Sequence, residues 1–224
     1  MATDLFHLLL TVLPFALASM TSPLTLIAVM AVLSATTRRA LKAVVFAITY
    51  AAVFSAICLV LVAIGSAATI GGNPSPATVG FDVVLGVILL YVAGRSLTKE
   101  VSTPLLRSFN PDAMSAVAAA SMGVLFSASN FSSLIPALAA SKDIGVAAVS
   151  PFDKTIALVF LLAIAVSWVW APVAVYLVTP NNFDRLFDPV IRVLRKHGGQ
   201  LMAAVLFLIG LYLLVRGVTG YVAL

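Results

Sequence analysis

The chain has 224 residues, of which 62% are hydrophobic and only 9% charged, and its mean hydropathy is +1.15. In soluble domains roughly a quarter of all residues are charged. This composition therefore excludes a soluble globular protein and indicates an integral membrane protein. The formal charge of +5 does not indicate nucleic acid binding, because the basic residues lie between apolar segments. In that position they indicate membrane topology and contact with anionic lipid headgroups at the cytoplasmic face.

Six apolar segments are bounded by charged residues or by clusters of glycine, proline and asparagine: residues 5–34, 40–65, 78–98, 113–140, 154–178 and 200–222. A helix needs about 20 apolar residues to cross a bilayer, so each segment is a candidate span. The spans and their connections fill residues 1–224, which predicts a single transmembrane domain. The first segment resembles a secretory signal, but it is preceded by Asp4 and by no Lys or Arg, which predicts an uncleaved span.

A polar stretch from Ser19 to Thr25 interrupts the first span. Pro23 has no backbone N–H and disfavours helical geometry at Ser22, so carbonyls of the preceding turn lose their partners. In hydrocarbon such carbonyls are costly unless protein or a water-filled cavity satisfies them. A helix broken in this way is typical of transporter binding sites. The alternative is a simple proline kink whose carbonyls are bound by the hydroxyls of Thr21 and Thr25.

A second polar stretch, from Ser127 to Ser133, lies in the fourth span and is followed by Pro136. The third and sixth spans share a Tyr-x-x-x-Arg pattern near their ends, although this pattern also fits anchoring at the membrane interface. Two matching halves of three spans each must have opposite orientations in the membrane. We therefore predict an all-α fold of six transmembrane helices in two inverted three-helix repeats, residues 1–110 and 111–224, with the first and fourth helices broken.

In transporters with this plan the substrate site lies between the repeats, near the midplane of the membrane. The candidate substrate-binding residues come from the two breaks and from one mid-span tryptophan: Thr21, Ser22, Pro23, Thr25, Ser129, Asn130, Ser132, Ser133 and Trp168. Trp168 is a candidate because it lies in the middle of the fifth span, whereas membrane tryptophans are usually enriched at the interfaces. It either lines a groove for an acyl or polyprenyl chain or packs between helices.

Ten of the thirteen basic residues fall on the first, third and fifth connections: Arg38, Arg39, Lys42, Arg95, Lys99, Arg107, Arg185, Arg192, Arg195 and Lys196. Because cytoplasmic loops are enriched in Lys and Arg, this distribution predicts that both termini are extracytoplasmic. Apolar residues recur at helical spacing in the fifth connection. They predict an amphipathic helix in the cytoplasmic interface at about residues 183–197, with a docked connector as the alternative.

Asp82 and Arg216 lie at membrane depth, each one to two turns from the predicted external end of its span. A charge at this depth is a functional candidate by default, and the two residues are candidates for an external gate or a coupling pair. The alternative is that both side chains snorkel to the surface. Lys142 and Asp143 close the fourth apolar segment, and we interpret them as helix termination and surface solvation.

Arg38 and Arg39 follow the first span and are candidates for binding a headgroup, because guanidinium groups clamp phosphate bidentately. The positive-inside rule explains the same residues without a ligand. The sequence has no convincing catalytic triad, carboxylate pair or phosphate-binding glycine loop, which argues against an enzyme. We expect no cofactor or metal, since His7 and His197 lie at opposite ends of the chain and Cys58 is the only cysteine.

Three stretches of the first two spans resemble one family: Thr21-Ser22-Pro23-Leu24-Thr25-Leu26-Ile27-Ala28, Ser34-Ala35-Thr36-Thr37-Arg38-Arg39-Ala40 and Phe46-Ala47-Ile48-Thr49-Tyr50. They are similar to the GAP family, the peptidoglycolipid and sulfolipid addressing proteins within the LysE transporter superfamily. The resemblance implies a six-span protein of the bacterial plasma membrane that is associated with moving envelope glycolipids toward the surface. On the matching positions it favours Ser22, Pro23 and Thr25, followed by Arg38 and Arg39.

Two departures narrow what the resemblance implies. Amino-acid exporters of the superfamily typically have Gly-Pro where this chain has Ser22-Pro23, and its thiol-disulfide carriers need paired intramembrane cysteines. We therefore expect a transporter or translocator of an envelope lipid, a glycolipid or its lipid-linked intermediate. The alternatives are an ion-driven small-solute or amino-acid exporter and a non-transporting subunit of a lipid export or biosynthesis complex. The superfamily resemblance and the small size also favour a homodimer.

Overall fold

The computed structural model describes residues 4–68, 76–98 and 111–222, and all regular elements within these ranges are helices. The helices in chain order are α1 (Leu5–Met20), α2 (Pro23–Leu33), α3 (Arg39–Ala68), α4 (Pro76–Thr98), α5 (Ala116–Ser129), α6 (Phe131–Val146), α7 (Pro151–Val178) and α8 (Phe183–Val222), with a short 3₁₀ turn, Pro180–Asn182, before α8. The predicted all-α class is confirmed.

The described helices form six candidate membrane spans. Helices α3, α4 and α7 and the Lys196–Val222 part of α8 are each long and apolar enough to cross a bilayer. Helices α1 and α2, and likewise α5 and α6, qualify only as pairs, which are bent by 48° and 63°. Counted as one span each, these pairs are the first and fourth spans, where the sequence predicts the breaks. Lys99 and Arg107 of the third connection lie outside the described ranges.

Local sequence explains where several helices begin. Pro23 occupies the first turn of α2 and Pro151 the first turn of α7, positions that suit proline because no N–H is needed there. The Ser150 hydroxyl caps α7 by accepting from the Asp153 N–H, and the Ser115 hydroxyl caps α5 in the same way. The second part of the first span therefore starts where its proline allows a helix to start.

Two helix boundaries differ from the expectations. Helix α6 continues to Val146, so Lys142 and Asp143 do not end the fourth span. The segment 183–197, predicted as a helix of its own, is helical but runs into the last span within the single helix α8. Pro189 removes only one backbone hydrogen bond near the start of α8, and the helix continues past it.

The spans pack in pairs that cross between the two halves of the chain. Helix α4 packs along α8, α3 packs against α5 and α6, and α1 packs against α6 and α7. Exchanging the two halves maps the α3–α5 contact onto the α1–α7 contact, but within the described residues the α1–α6 contact has no comparable counterpart between α2 and α5. The inverted orientation of the repeats stays a prediction.

An aromatic ladder on α3 lies at the centre of the bundle. Phe46, Tyr50 and Phe54 follow one another at one-turn spacing, are buried, and have ring centroids separated by 6.2 and 5.8 Å. Phe126 of α5 meets Phe46 edge-on at 6.2 Å. Offset and edge-on contacts are the favourable geometries for aromatic rings. The ladder therefore fixes α3 beside the break between α5 and α6.

Gly123 allows α5 to approach α3 closely. A Cβ added at this position would lie 2.6 Å from the Phe46 carbonyl oxygen and would overlap the Thr49 side chain. Because backbone atoms cannot easily move aside, we expect Gly123→Ala to lower the free energy of unfolding by about 1–3 kcal/mol, the usual cost of overpacking. Thermal unfolding in detergent micelles measures the effect.

The matched control for this prediction is Gly94→Ala. A Cβ added at Gly94 in α4 would meet no atom within 4 Å. Since alanine has the higher helix propensity, this variant should unfold at or above the wild-type temperature. Equal melting temperatures for the two variants would contradict the close packing of α3 and α5.

Candidate functional site

The two helix breaks meet through the side chain of Asn130. Its Nδ2 donates to the hydroxyls of Ser22, at 2.9 Å, and Thr25, at 2.5 Å. Its Oδ1 accepts from the Ser132 hydroxyl at 2.8 Å, and the hydroxyls of Ser22 and Ser132 lie 3.3 Å apart. All four residues are more than nine-tenths buried. One amide group therefore joins the first span to the fourth.

Pro23 leaves a carbonyl without its helical partner, and the second half of the chain supplies a replacement. In an unbroken helix the Ser19 carbonyl would accept from the N–H of residue 23, which proline lacks. The Ser133 hydroxyl donates to this carbonyl at 2.5 Å. A second carbonyl in the last turn of α1 is satisfied locally, since the Thr21 hydroxyl donates to the Ala18 carbonyl at 2.8 Å. Protein hydroxyls therefore satisfy the backbone that Pro23 opens.

We call this set of buried groups the polar cluster: Ser19, Ser22, Thr25, Asn130, Ser132 and Ser133. The simple proline kink describes only part of it, because Thr25 bonds to Asn130 across the two halves. Ser129 lies outside the cluster, since it is exposed and its hydroxyl donates to the Leu125 carbonyl of its own helix. The structure therefore does not bring Ser129 together with the other candidates of the two breaks.

Tyr50 borders the polar cluster and was missing from the candidates. Its side chain on α3 is 1% exposed, and its hydroxyl interacts with Thr25, Asn130 and Ser133. A tyrosine on an unbroken apolar helix gives no periodicity signal that separates a site residue from a core residue. Its position at the end of the third stretch shared with the addressing proteins is the signal that could have identified it.

An apolar pocket of about 510 Å³ opens beside the first break, and we call it the lateral groove. Its lining residues come from the end of α1, from α7 and from the first half of α8: Met20, Thr21, Trp168, Pro189, Val190, Val193, Gly198, Leu201 and Val205. Val193 and Leu201 are more than half exposed, so the groove is open on its α8 side. Trp168 thus lines this groove, and its role toward an acyl or polyprenyl chain stays a prediction.

Four charged side chains form a closed arrangement near the ends of α4, α6 and α8, which we call the charge square. Arg216 donates to both carboxylate oxygens of Asp143, at 2.6 and 2.9 Å, and its Nε lies 3.7 Å from an Asp82 oxygen. Lys142 contacts Asp82 directly and lies 3.3 Å from Asp143. Each carboxylate therefore faces both cations, and each cation faces both carboxylates.

The charge square changes the interpretation of its members. The predicted approach of Asp82 to Arg216 is present, but these two residues share the square with a second pair. The interpretation of Lys142 and Asp143 as surface-solvated is wrong, because α6 continues past them and leaves each only 5% exposed. Among the described residues, no group of three His, Cys, Asp or Glu side chains is placed to hold a metal ion.

Arg38 and Arg39 have different surroundings at the start of α3. The Arg39 guanidinium lies over the Tyr176 ring, 5.0 Å from its centroid, in a cation–π contact. Arg38 has a positive φ of 48°, a conformation uncommon outside glycine. It lines a pocket of about 280 Å³ together with Lys42 and Asp112. Arg38 is therefore the better placed of the two to contact a headgroup.

Asp112 ties the turn before α5 to the end of the first span. It accepts from the Thr36 N–H at 2.6 Å and from the Thr36 hydroxyl at 2.7 Å. The backbone hydrogen bond, with the hydroxyl second, lowers the pKa of the Asp112 carboxyl below its ordinary value. The stabilisation that this shift gives is present at neutral pH and is lost as the pH falls through the folded-state pKa.

Comparison with known proteins identifies one family. A family model described as Sap, sulfolipid-1-addressing protein, matches residues 12–219, a range that contains both breaks, the lateral groove and the charge square. Comparisons with curated proteins and with solved structures found no match. The family match confirms the resemblance carried by the first two spans. The chain therefore belongs to the sulfolipid-1-addressing protein family and is a multi-pass membrane protein.

Proposed function

We propose that this protein translocates an envelope lipid or glycolipid across the bacterial plasma membrane toward the cell surface. Membership of a family described as addressing a sulfolipid supports a lipid substrate. The distribution of basic residues supports an orientation with both termini outside the cytoplasm. In this orientation the Arg38 pocket lies on the cytoplasmic face and the charge square near the external face.

The observation that carries this proposal is that the lateral groove and the polar cluster adjoin at consecutive residues of the first break. Thr21 lines the groove, and the next residue, Ser22, belongs to the cluster. A lipid has the same two parts side by side, an acyl chain and a polar headgroup. A site for a small polar solute would be enclosed and lined by polar groups, whereas this groove is apolar and open at α8. The geometry therefore favours a lipid over a small solute.

In the proposed mechanism the acyl chain occupies the lateral groove while the headgroup passes the polar cluster. Headgroup oxygens replace the hydrogen bonds that Asn130 makes to Ser22 and Thr25. Because each polar group exchanges one partner for another, few of them are left unpaired in hydrocarbon. Access changes when one half of the chain rocks against the other, since the cluster lies between the two halves.

Arg38 is the proposed first contact for a negatively charged headgroup on the cytoplasmic face. The neighbouring Lys42 is held at the same pocket because its Nζ donates to the Thr37 hydroxyl at 3.3 Å and to the Pro111 carbonyl at 3.0 Å. Two cations, Arg38 and Lys42, beside one carboxylate, Asp112, leave the pocket with an excess of positive charge. Guanidinium and ammonium groups are the usual partners of sulfate and phosphate oxygens.

Filling the lateral groove should block transport without unfolding the protein. We expect Val190→Trp to reduce lipid export at least about tenfold, because an acyl chain gains about 0.8 kcal/mol per buried CH₂ and a filled groove removes several of these contacts. Val190 is 36% exposed, so the change leaves the bundle core intact. The measurement is a mass-spectrometric lipid inventory of the outer envelope in a deletion strain that carries the variant.

The matched control is Val117→Trp, since Val117 is 75% exposed on α5 and does not line the groove. Equal export by the two variants at wild-type expression would contradict a role for the groove. Transport of an amino acid but no lipid by purified protein in vesicles would favour the small-solute exporter. Loss of the lipid from the deletion strain, without transport by purified protein, would favour the accessory subunit.

A further inference from the structure

The charge square lies outside both the lateral groove and the polar cluster, and the proposed lipid path does not use it. Asp82 follows the start of α4 by six residues, and Arg216 precedes the end of α8 by six. At 1.5 Å per residue, each lies about 9 Å along its helix from that end. Removing charges from water is costly, and well-packed apolar residues often stabilise a protein as well as a buried ion pair does. Packing alone therefore does not account for four ionised groups at this depth.

The two carboxylates of the square are held unequally. Asp143 accepts two hydrogen bonds from Arg216 and also lies 3.3 Å from Lys142. Among the described residues, Asp82 makes a close ionic contact with Lys142 alone, because the nearest nitrogen of Arg216 is 3.7 Å away, beyond hydrogen-bond distance. Taking up a proton therefore disturbs fewer contacts at Asp82 than at Asp143.

Asp82 is also the one member of the square that belongs to the first half of the chain. Lys142 and Asp143 lie on α6 and Arg216 lies on α8, both in the second half. Neutralising Asp82 removes the ionic contacts that tie α4 to the second half. The bidentate pair of Asp143 and Arg216 stays intact within that half. Protonation of Asp82 thus acts at the junction between the two halves.

The ionisable side chains that face Asp82 or flank the square on the helices packed around it are Lys142, Asp143, Lys154, Tyr212 and Arg216. Lys154 of α7 is held aside by the Gly145 carbonyl at 2.6 Å and the Ser66 hydroxyl at 3.2 Å. The four members of the square are neutral in sum, so one added proton leaves a net positive charge. Arg216, whose side chain is 34% exposed, is placed to carry that charge toward water.

We propose that Asp82 is a proton-binding site and that its protonation opens the external ends of α4 and α8. The proton comes from the water outside and returns to it when the square re-forms, which closes the junction. A more acidic exterior therefore favours the outward-open state and gates lipid release. The role of this site in lipid movement rests on the proposed function. Proton binding and helix opening can nevertheless be measured without a lipid substrate.

Proton binding is tested by infrared difference spectroscopy on the purified protein in nanodiscs of anionic lipid. When the buffer is acidified from about pH 8 to about pH 5, we expect the band of a buried carboxylic acid. The band should appear in wild type, in Asp82→Glu and in the exposed control Asp4→Asn, and be absent from Asp82→Asn. Absence of the band from wild type, or its loss in Asp143→Asn but not in Asp82→Asn, would overturn the proposal.

Opening is tested with a cysteine reporter at one fixed pH. Val79 of α4 is 7% exposed and packs against Gly217 and Gly220 of α8, so Val79→Cys in a Cys58→Ala background reports separation of these helices. Asparagine mimics a protonated aspartate, and we expect Asp82→Asn to raise the thiol labelling rate roughly tenfold. An unchanged labelling rate would overturn the proposed opening of α4 and α8. Intact proton binding and opening with no lipid transport in vesicles would instead count against the proposed function.

Discussion

Asn130→Leu is expected to reduce lipid export at least about tenfold and to lower the free energy of unfolding by about 2–4 kcal/mol. Leucine has the same branched shape but neither donates nor accepts, so the hydroxyls of Ser22, Thr25 and Ser132 lose their shared partner. A buried polar group without a partner costs about 1–3 kcal/mol. Thermal unfolding in detergent and the envelope lipid inventory of the complemented deletion strain measure the two effects.

Ser129→Ala is the matched control for Asn130→Leu. Ser129 lies in the same break, but it is exposed and bonds to the Leu125 carbonyl of its own helix. We therefore expect wild-type export and a melting temperature close to that of wild type. Normal export by an Asn130→Leu protein at wild-type expression would show that the polar cluster closes the break without taking part in transport.

Arg216→Gln is expected to cost about 3 kcal/mol of unfolding free energy, at the lower end of the range for broken buried pairs because Arg216 keeps a third of its side chain exposed. The change leaves Asp82 and Asp143 with Lys142 as their single cation, so the square gains a net negative charge in a buried site. The apparent melting temperature in detergent should fall accordingly. Raising the salt concentration should restore little of it, since buried charges are poorly screened.

The double variant Asp143→Asn/Arg216→Gln separates a structural charge pair from simple loss of packing. It removes one charge of each sign, leaving Asp82 with Lys142, so we expect it to recover more than half of the stability lost in Arg216→Gln. Additive losses from the two single variants would mean that the two side chains do not interact in the membrane.

The two helix breaks were predictable because their cause is local. Pro23 lacks an N–H wherever the helix lies, and a run of polar residues from Ser127 to Ser133 is conspicuous inside an apolar span. The six spans follow from apolar length, and four of them meet that test as single helices. These features depend on residues that are close together in the sequence, and such local patterns can be read from one sequence alone.

The contacts between the breaks were not predictable in detail, because their partners lie far apart along the chain. Asn130 and Ser22 are separated by 108 positions, and Arg216 and Asp143 by 73. Depth in the membrane suggested that Asp82 and Arg216 approach each other. Lys142 and Asp143 could be assigned to the same group only once the end of α6 at Val146 was known. If α6 ended before them, both side chains would lie in water.

The continuity of α8 was missed for a different reason. The sequence changes from amphipathic to apolar at about residue 197. Composition alone does not show whether the helix also ends there. Pro189 suggested a start or a break, but a proline near the beginning of a helix removes few hydrogen bonds. The result places most of the residues that line the lateral groove on one continuous helix, which passes beside the first break.

The central claim, that the two broken spans meet at the polar cluster, is tested most directly by oxidative cross-linking of Ser22→Cys with Ser132→Cys in native membranes, in a Cys58→Ala background. The two native hydroxyls are 3.3 Å apart, so we predict an intramolecular disulfide that mass spectrometry finds in the linked peptides of the first and fourth spans. The pair Val79→Cys and Gly220→Cys, where a Cβ added at Gly220 of α8 lies 3.9 Å from the Val79 Cβ of α4, serves as the positive control. A disulfide in the control pair with none between positions 22 and 132 would contradict the account.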